Sequence, residues 1–80
     1  MKSKEINKER LLLIVGSVIK ELRIKKGINI YRLSRNEKQK WFRMENCGHK
    51  LNIILIFEIC QELDITPWEF VKKIYDIYGV

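Results

Sequence analysis

Positive charge is concentrated in the middle of this 80-residue chain. Residues 20–50 carry a net charge of +7, whereas residues 1–19 carry +2 and residues 51–80 carry −3. The ten basic side chains of the middle segment are Lys20, Arg23, Lys25, Lys26, Arg32, Arg35, Lys38, Lys40, Arg43 and Lys50. Clustered guanidinium and ammonium groups raise the local concentration of polyanions. The pattern therefore predicts a polyanion-binding surface, and the alternative is the solvated surface of an ordinary lysine-rich protein.

Few residues could support metal or catalytic chemistry. Cys47 and His49 are spaced as Cys-x-His, which is not a usual zinc pattern, and Cys60 lies in an apolar segment that favours a small core residue. The chain has no glycine-rich phosphate loop, no paired carboxylates and no nucleophile elbow. We therefore expect no metal, no cofactor and no small-molecule ligand, and we do not expect an enzyme.

Length and composition favour one small globular domain over residues 1–80. Apolar residues make up 46% of the chain, which is enough for a core and too many for a disordered tail. Two cysteines are too few for a disulfide framework, and no secretory signal is present. The apolar run of residues 11–15, which no other run exceeds, is far shorter than the roughly 20 residues that cross a bilayer. These features predict a cytoplasmic protein that does not bind membranes.

Apolar periodicity and capping residues predict five helices and no strands. The first spans about residues 6–26 and ends at Gly27, with residues 1–10 as an N-terminal extension. A short second helix spans about residues 29–35, and a third spans about residues 37–46 and is closed by Gly48. The fourth, residues 53–63, is capped by Asn52 and is apolar nearly all round, hence largely buried. Thr66 and Pro67 begin the fifth, which reaches about residue 78.

Residues 15–70 resemble the Cro and phage-repressor (Xre) type of helix-turn-helix domain, and are closest to the domains that open Rgg-like regulators. The resemblance is carried by residues 16–23 with Lys26 and Gly27, by residues 42–46, and by residues 55–66 with Phe70. It implies a five-helix repressor-type fold and a DNA-binding transcription regulator of phage or mobile-element type. The segment from Ile28 to Glu45 is about three residues shorter than in the family, close to one helical turn. Helix two is therefore expected to be short. The angle at which helix three meets DNA is expected to differ from that of the family.

The resemblance also implies roles for individual residues. Arg23 and Glu45 match a partly buried ion pair that orients the third helix. That helix would be the recognition helix. Trp41 and Met44 lie three residues apart on one face of it, which directs both into the core. Its outward residues, which would meet the major groove of double-stranded DNA, are Lys38, Gln39, Lys40, Phe42 and Arg43. Arg35 and Lys50 flank the helix and would contact phosphates. The alternative is a solvated basic face on an ordinary helix.

More apolar surface is expected than one small domain can cover. Leu11, Ile14 and Val18 form a stripe beside the expected core face of the first helix. Ile54 and Leu55 occupy helix-four positions that are usually polar in the family, and Tyr75 and Tyr78 lie near the end of helix five. These residues predict a homodimer or a protein partner, and a twofold dimer would present two recognition helices roughly 34 Å apart. The alternative is that the N-terminal extension covers helix five within one chain.

Two functions therefore remain open. The first is a dimeric transcription regulator that reads DNA with helix three. The second is a protein-interaction module, such as an antirepressor or adaptor, that keeps the fold without reading DNA. The shortened turn and the apolar surface favour the second, whereas the charge of residues 20–50 favours the first.

Overall fold

The computed structural model describes residues 6–46 and 52–79, and these residues form four α-helices. The helices are α1 (Lys8–Lys26), α2 (Arg35–Glu45), α3 (Ile53–Leu63) and α4 (Pro67–Tyr78). No strand occurs within the described ranges, so the all-α prediction is confirmed. In the same part of the chain, no helix combines the length and apolar character that crossing a bilayer requires.

The prediction of five helices is wrong at the second one, which is a single 3₁₀ turn, Ile30–Arg32. Two capping residues explain this. Asn29 Oδ1 accepts a hydrogen bond from the Tyr31 amide at 2.9 Å, and Ser34 Oγ accepts one from the Glu37 amide at 3.3 Å. Caps only five residues apart leave room for one short turn between them. Ser34 also begins α2 two residues earlier than periodicity predicted.

Each α-helix begins at a side chain that accepts a backbone hydrogen bond. Asn7, Ser34, Asn52 and Thr66 are the four N-caps. Gly27 ends α1 with a φ of 85°, in the left-handed region that glycine adopts without a steric cost. The predicted positions of Gly27, Asn52 and Thr66 are therefore confirmed.

The Thr66 cap gives a local test of the fold. Its hydroxyl accepts from the Glu69 amide and donates to the Glu69 carboxylate, both at 3.1 Å. Thr66→Ala removes both bonds, so we expect the free energy of unfolding to fall by about 1 kcal/mol. Urea denaturation followed by circular dichroism measures this. Thr66→Ser keeps the hydroxyl and should cost less, and an equal loss in both variants would assign the effect to the methyl group instead.

The core lies where α1 crosses the other three helices. Its buried apolar residues are Val18, Ile19, Trp41, Met44, Ile59, Cys60, Leu63 and Phe70. Cys60 is buried as expected, and desolvation raises the pKa of its thiol, which keeps it protonated. Within the described residues, no group of three or more histidine, cysteine or acidic side chains could hold a metal ion.

Two expectations about burial are wrong. Val18 was expected on a partner surface but is fully buried, and Ile14 and Leu55 pack half-buried against the core. Val18 and Ile14 are covered because α1 contacts α2, α3 and α4, which widens its buried face beyond one stripe. The fourth predicted helix, α3, was expected to be largely buried, yet Ile53, Ile54 and Phe57 are exposed. Only its opposite side contacts the core.

Candidate nucleic-acid interface

A buried ion pair holds α2 against α1. The Arg23 guanidinium donates to both carboxylate oxygens of Glu45, at 2.5 and 3.1 Å. Its third hydrogen bond, from Nη1, goes to the Ile28 carbonyl at 2.9 Å. Only 9% of the Arg23 side chain and 6% of the Glu45 side chain is exposed. The predicted pair is therefore present, and it ties the end of α1, the following loop and the last turn of α2 together.

The core contacts of α2 decide which of its side chains face water. Trp41 and Met44 lie three residues apart and are both buried. The opposite side of the helix, which we call the outward stripe, consists of Arg35, Gln39, Phe42 and Arg43. All four are exposed, and 62% of the Phe42 surface is accessible.

Four cations lie on this stripe or beside it, and we call them the cationic face: Arg32, Arg35, Lys38 and Arg43. None of them forms an ion pair with a carboxylate of residues 6–46 or 52–79. In contrast, Lys26, Lys40, Lys72 and Lys73 each pair with an acidic side chain. Four cations without an ion pair in this part of the chain are therefore displayed on and beside α2, where an anion can approach them, and α1 carries the others, which are Lys8, Arg10, Lys20 and Lys25.

Lys40 departs from its predicted position. It was expected to face outward for the major groove, but its Nζ lies 3.0 Å from Glu62 Oε1 of α3. It also lies 5.7 Å from the centre of the Trp41 ring, on the core side of α2. Because Glu62 neutralises it and α3 is beside it, Lys40 supports the packing of α2 and is not part of the outward stripe.

Tyr31 lies beside the cationic face, a position that the sequence did not indicate. Together with Leu33 it was assigned to helix two, but Leu33 packs against the core whereas Tyr31 is 83% exposed. Lys38 Nζ lies 5.9 Å from the centre of the Tyr31 ring, so the 3₁₀ turn and α2 share one surface. The capping pattern of Asn29 and Ser34 is the signal that could have placed Tyr31 on a surface turn.

A shallow hollow of about 280 Å³ lies on the outward side of α2. Lys38, Gln39, Phe42 and Arg43 line it, so it combines two cations, one amide and one aromatic ring. Arginine and glutamine can each form paired hydrogen bonds with the edges of bases. Among the other predicted interface residues, Lys50 lies outside the described residues, as do Cys47, Gly48 and His49.

Three other exposed apolar residues, Ile53, Ile54 and Phe57, lie on a different surface. Ile53, Ile54, Phe57, Ile65 and Pro67 line an open groove of about 560 Å³ between α3 and the start of α4, which we call the apolar groove. Its wall is completed by Glu58, Cys60, Gln61 and Thr66, and it contains no basic residue. Its composition is therefore suited to a protein surface and not to a polyanion.

The start of the described chain covers part of α4. The Asn7 amide donates to the Tyr78 hydroxyl at 2.9 Å, and the Arg10 guanidinium lies 4.7 Å from the centre of the Tyr78 ring. Tyr78 is therefore half-buried by its own chain, although it was predicted for a partner surface. Tyr75 remains exposed, and Leu11 is half-buried.

Comparison of the chain with protein-family models, with curated proteins and with solved structures finds no match.

Proposed function

We propose that this protein is a cytoplasmic, double-stranded DNA-binding transcription regulator of the repressor type, with α2 as its recognition helix. The observation that supports this most strongly is the combination of buried Trp41 and Met44 with an outward stripe of Arg35, Gln39 and Arg43. An α-helix that exposes arginine and glutamine opposite its buried side has the width and the donors that the major groove accepts.

The side chains divide into two groups by the contacts they would make. Gln39, in the middle of α2, and Arg43, in its last turn, would donate to guanine O6 and N7 or pair with adenine N6 and N7. Arg32, Arg35 and Lys38, nearer its N-terminal end, would contact phosphates, which position the protein without specifying sequence. In this proposal the 3₁₀ turn Ile30–Arg32 replaces the first helix of a helix-turn-helix.

The first experiment is a titration of a labelled random-sequence duplex at about 50 and about 200 mM salt. A protein that neutralises several phosphates should bind at the lower salt. Its affinity should then fall with a slope, in log K against log salt, of about −0.9 for each contact. Fluorescence anisotropy measures both affinities. The absence of binding at the lower salt would reject duplex DNA as the partner of the cationic face.

The apolar groove supports a second candidate function, a protein-interaction module or the dimer interface of the regulator. Ile54 is 69% exposed at its edge, and a large contiguous apolar surface is typical of protein contacts. Charge inside such a contact is strongly unfavourable. A protein-interaction module or a dimer requires the apolar groove, whereas DNA binding by a monomer does not.

Ile54→Asp should abolish self-association or partner binding through the groove and leave the fold intact, because the side chain contributes little to the core. Sedimentation velocity measures the association state, and duplex titration of the same variant shows whether DNA binding depends on it. Leu13→Asp is the control, because Leu13 is 63% exposed on α1, away from the groove. If both variants sediment and bind as the unmodified chain does, the groove has no role in assembly or in DNA binding.

A further inference from the structure

The surface formed by α2 and the 3₁₀ turn before it displays two aromatic rings that the core does not explain. Tyr31 is 83% exposed and Phe42 is 62% exposed. Tyr31 is held at the surface by its turn, because its amide donates to Asn29 Oδ1 at 2.9 Å. Neither ring belongs to the buried core or to the half-buried residues packed on it. Their apolar area is therefore left in water among cations.

Lys38 connects the two rings. Its Nζ lies 5.9 Å from the centre of the Tyr31 ring, and it precedes Phe42 by four residues, one turn along the same side of α2. The sequence of groups across this surface is thus aromatic, cationic, aromatic, with Arg35 and Arg43 beside it. We call these three residues the aromatic row: Tyr31, Lys38 and Phe42.

Aromatic rings interleaved with cations match the chemistry of unpaired nucleotides. In a duplex each base is stacked between its neighbours, so an exposed ring has no base face to contact. A single strand offers both free base faces and phosphates, and proteins bind it by stacking bases on aromatic side chains along a positive surface. The aromatic row also differs from the apolar groove in composition. It contains Lys38 and is flanked by arginines, whereas the groove contains no basic residue.

We propose that the aromatic row binds single-stranded nucleic acid, with bases stacked on Tyr31 and Phe42 and phosphates held by the four cations of the cationic face. The hollow lined by Lys38, Gln39, Phe42 and Arg43 gives a base beside Phe42 access to polar partners for its edge. This activity uses the same face as the proposed duplex binding, but it does not rest on duplex recognition.

The test separates stacking from charge. Fluorescence anisotropy at about 50 mM salt compares an oligothymidylate of about 20 nucleotides with a strand of the same length whose sugars carry no bases. Both strands have the same phosphates. We expect the full chain to bind the oligothymidylate at least about fivefold more tightly for each stacked base. The double variant Tyr31→Ala and Phe42→Ala should bind both strands equally, with the affinity of the baseless strand unchanged.

Two further variants exclude a loss of fold as the cause. Tyr31→Phe combined with Phe42→Tyr keeps both rings and should retain the preference for bases. Trp68→Ala removes an aromatic ring that is 70% exposed on α4, and it should also retain the preference. Equal affinity of the unmodified chain for the two strands would overturn the proposal, as would a preference that survives in the double alanine variant. Duplex binding is measured in a separate titration, so either activity can fail while the other stands.

Discussion

Replacing Glu45 with alanine is expected to lower the free energy of unfolding by about 3–5 kcal/mol. The substitution leaves the Arg23 guanidinium buried with no carboxylate, and only its bond to the Ile28 carbonyl remains. A buried charge without its partner loses the attraction that compensated for its desolvation. An 80-residue domain has a total stability of only about 4–12 kcal/mol, so the variant should be close to unfolding. Urea denaturation followed by tryptophan fluorescence measures the loss.

The pair between Lys40 and Glu62 is the matched control. It also joins two helices, and its residues are likewise 22 positions apart in the chain. However, 37% of the Lys40 side chain and 41% of the Glu62 side chain are exposed. Because water and salt screen it, Glu62→Ala should cost no more than about 1 kcal/mol. A loss of similar size in the two alanine variants would mean that burial of the Arg23–Glu45 pair contributes nothing special to stability.

Reversing two charges on the outward stripe, with Arg35→Glu and Arg43→Glu, is expected to weaken duplex binding by about 100-fold or more. The change removes two contacts with phosphates or bases and sets two carboxylates against the DNA, and like-charge juxtaposition costs several kcal/mol. Neither arginine has an ion-pair partner among the described residues, so the fold should not depend on them. Anisotropy titration of one duplex at fixed low salt measures the effect.

Lys72→Glu with Lys73→Glu changes the net charge by the same amount, from +6 to +2, but on α4. If the cationic face binds DNA, this control should lose much less affinity than the α2 double variant. Equal losses would show that binding depends only on total charge, and α2 would no longer be a recognition helix. Circular dichroism of both variants checks that their helices are retained.

The two exposed surfaces lie on different helices, so one small chain has separate places for two partners. The cationic face lies on α2 and the turn before it, whereas the apolar groove is formed by α3 and the start of α4. Lys40 and Glu62 join the two helices between these surfaces. A nucleic acid on one surface and a protein on the other would not compete for the same residues, so the two candidate functions are compatible in one chain.

The sequence by itself predicted the features that depend on local interactions. Gly27, Asn52 and Thr66 could be assigned to helix ends because a cap bonds to amides or carbonyls only a few residues away. The burial of Trp41 and Met44 followed from their spacing on one helix. The pairing of Arg23 with Glu45, 22 residues apart, was available only through a resemblance to known domains.

Tertiary structure alone decided which of several apolar faces is buried. The run of apolar residues 11–15 gives α1 no single stripe, so the burial of Val18 depends on which helices cross it. Lys40 is directed toward α3 because Glu62 of that helix lies beside it. Each of these outcomes depends on residues far apart in the chain, and periodicity within one segment contains no information about them.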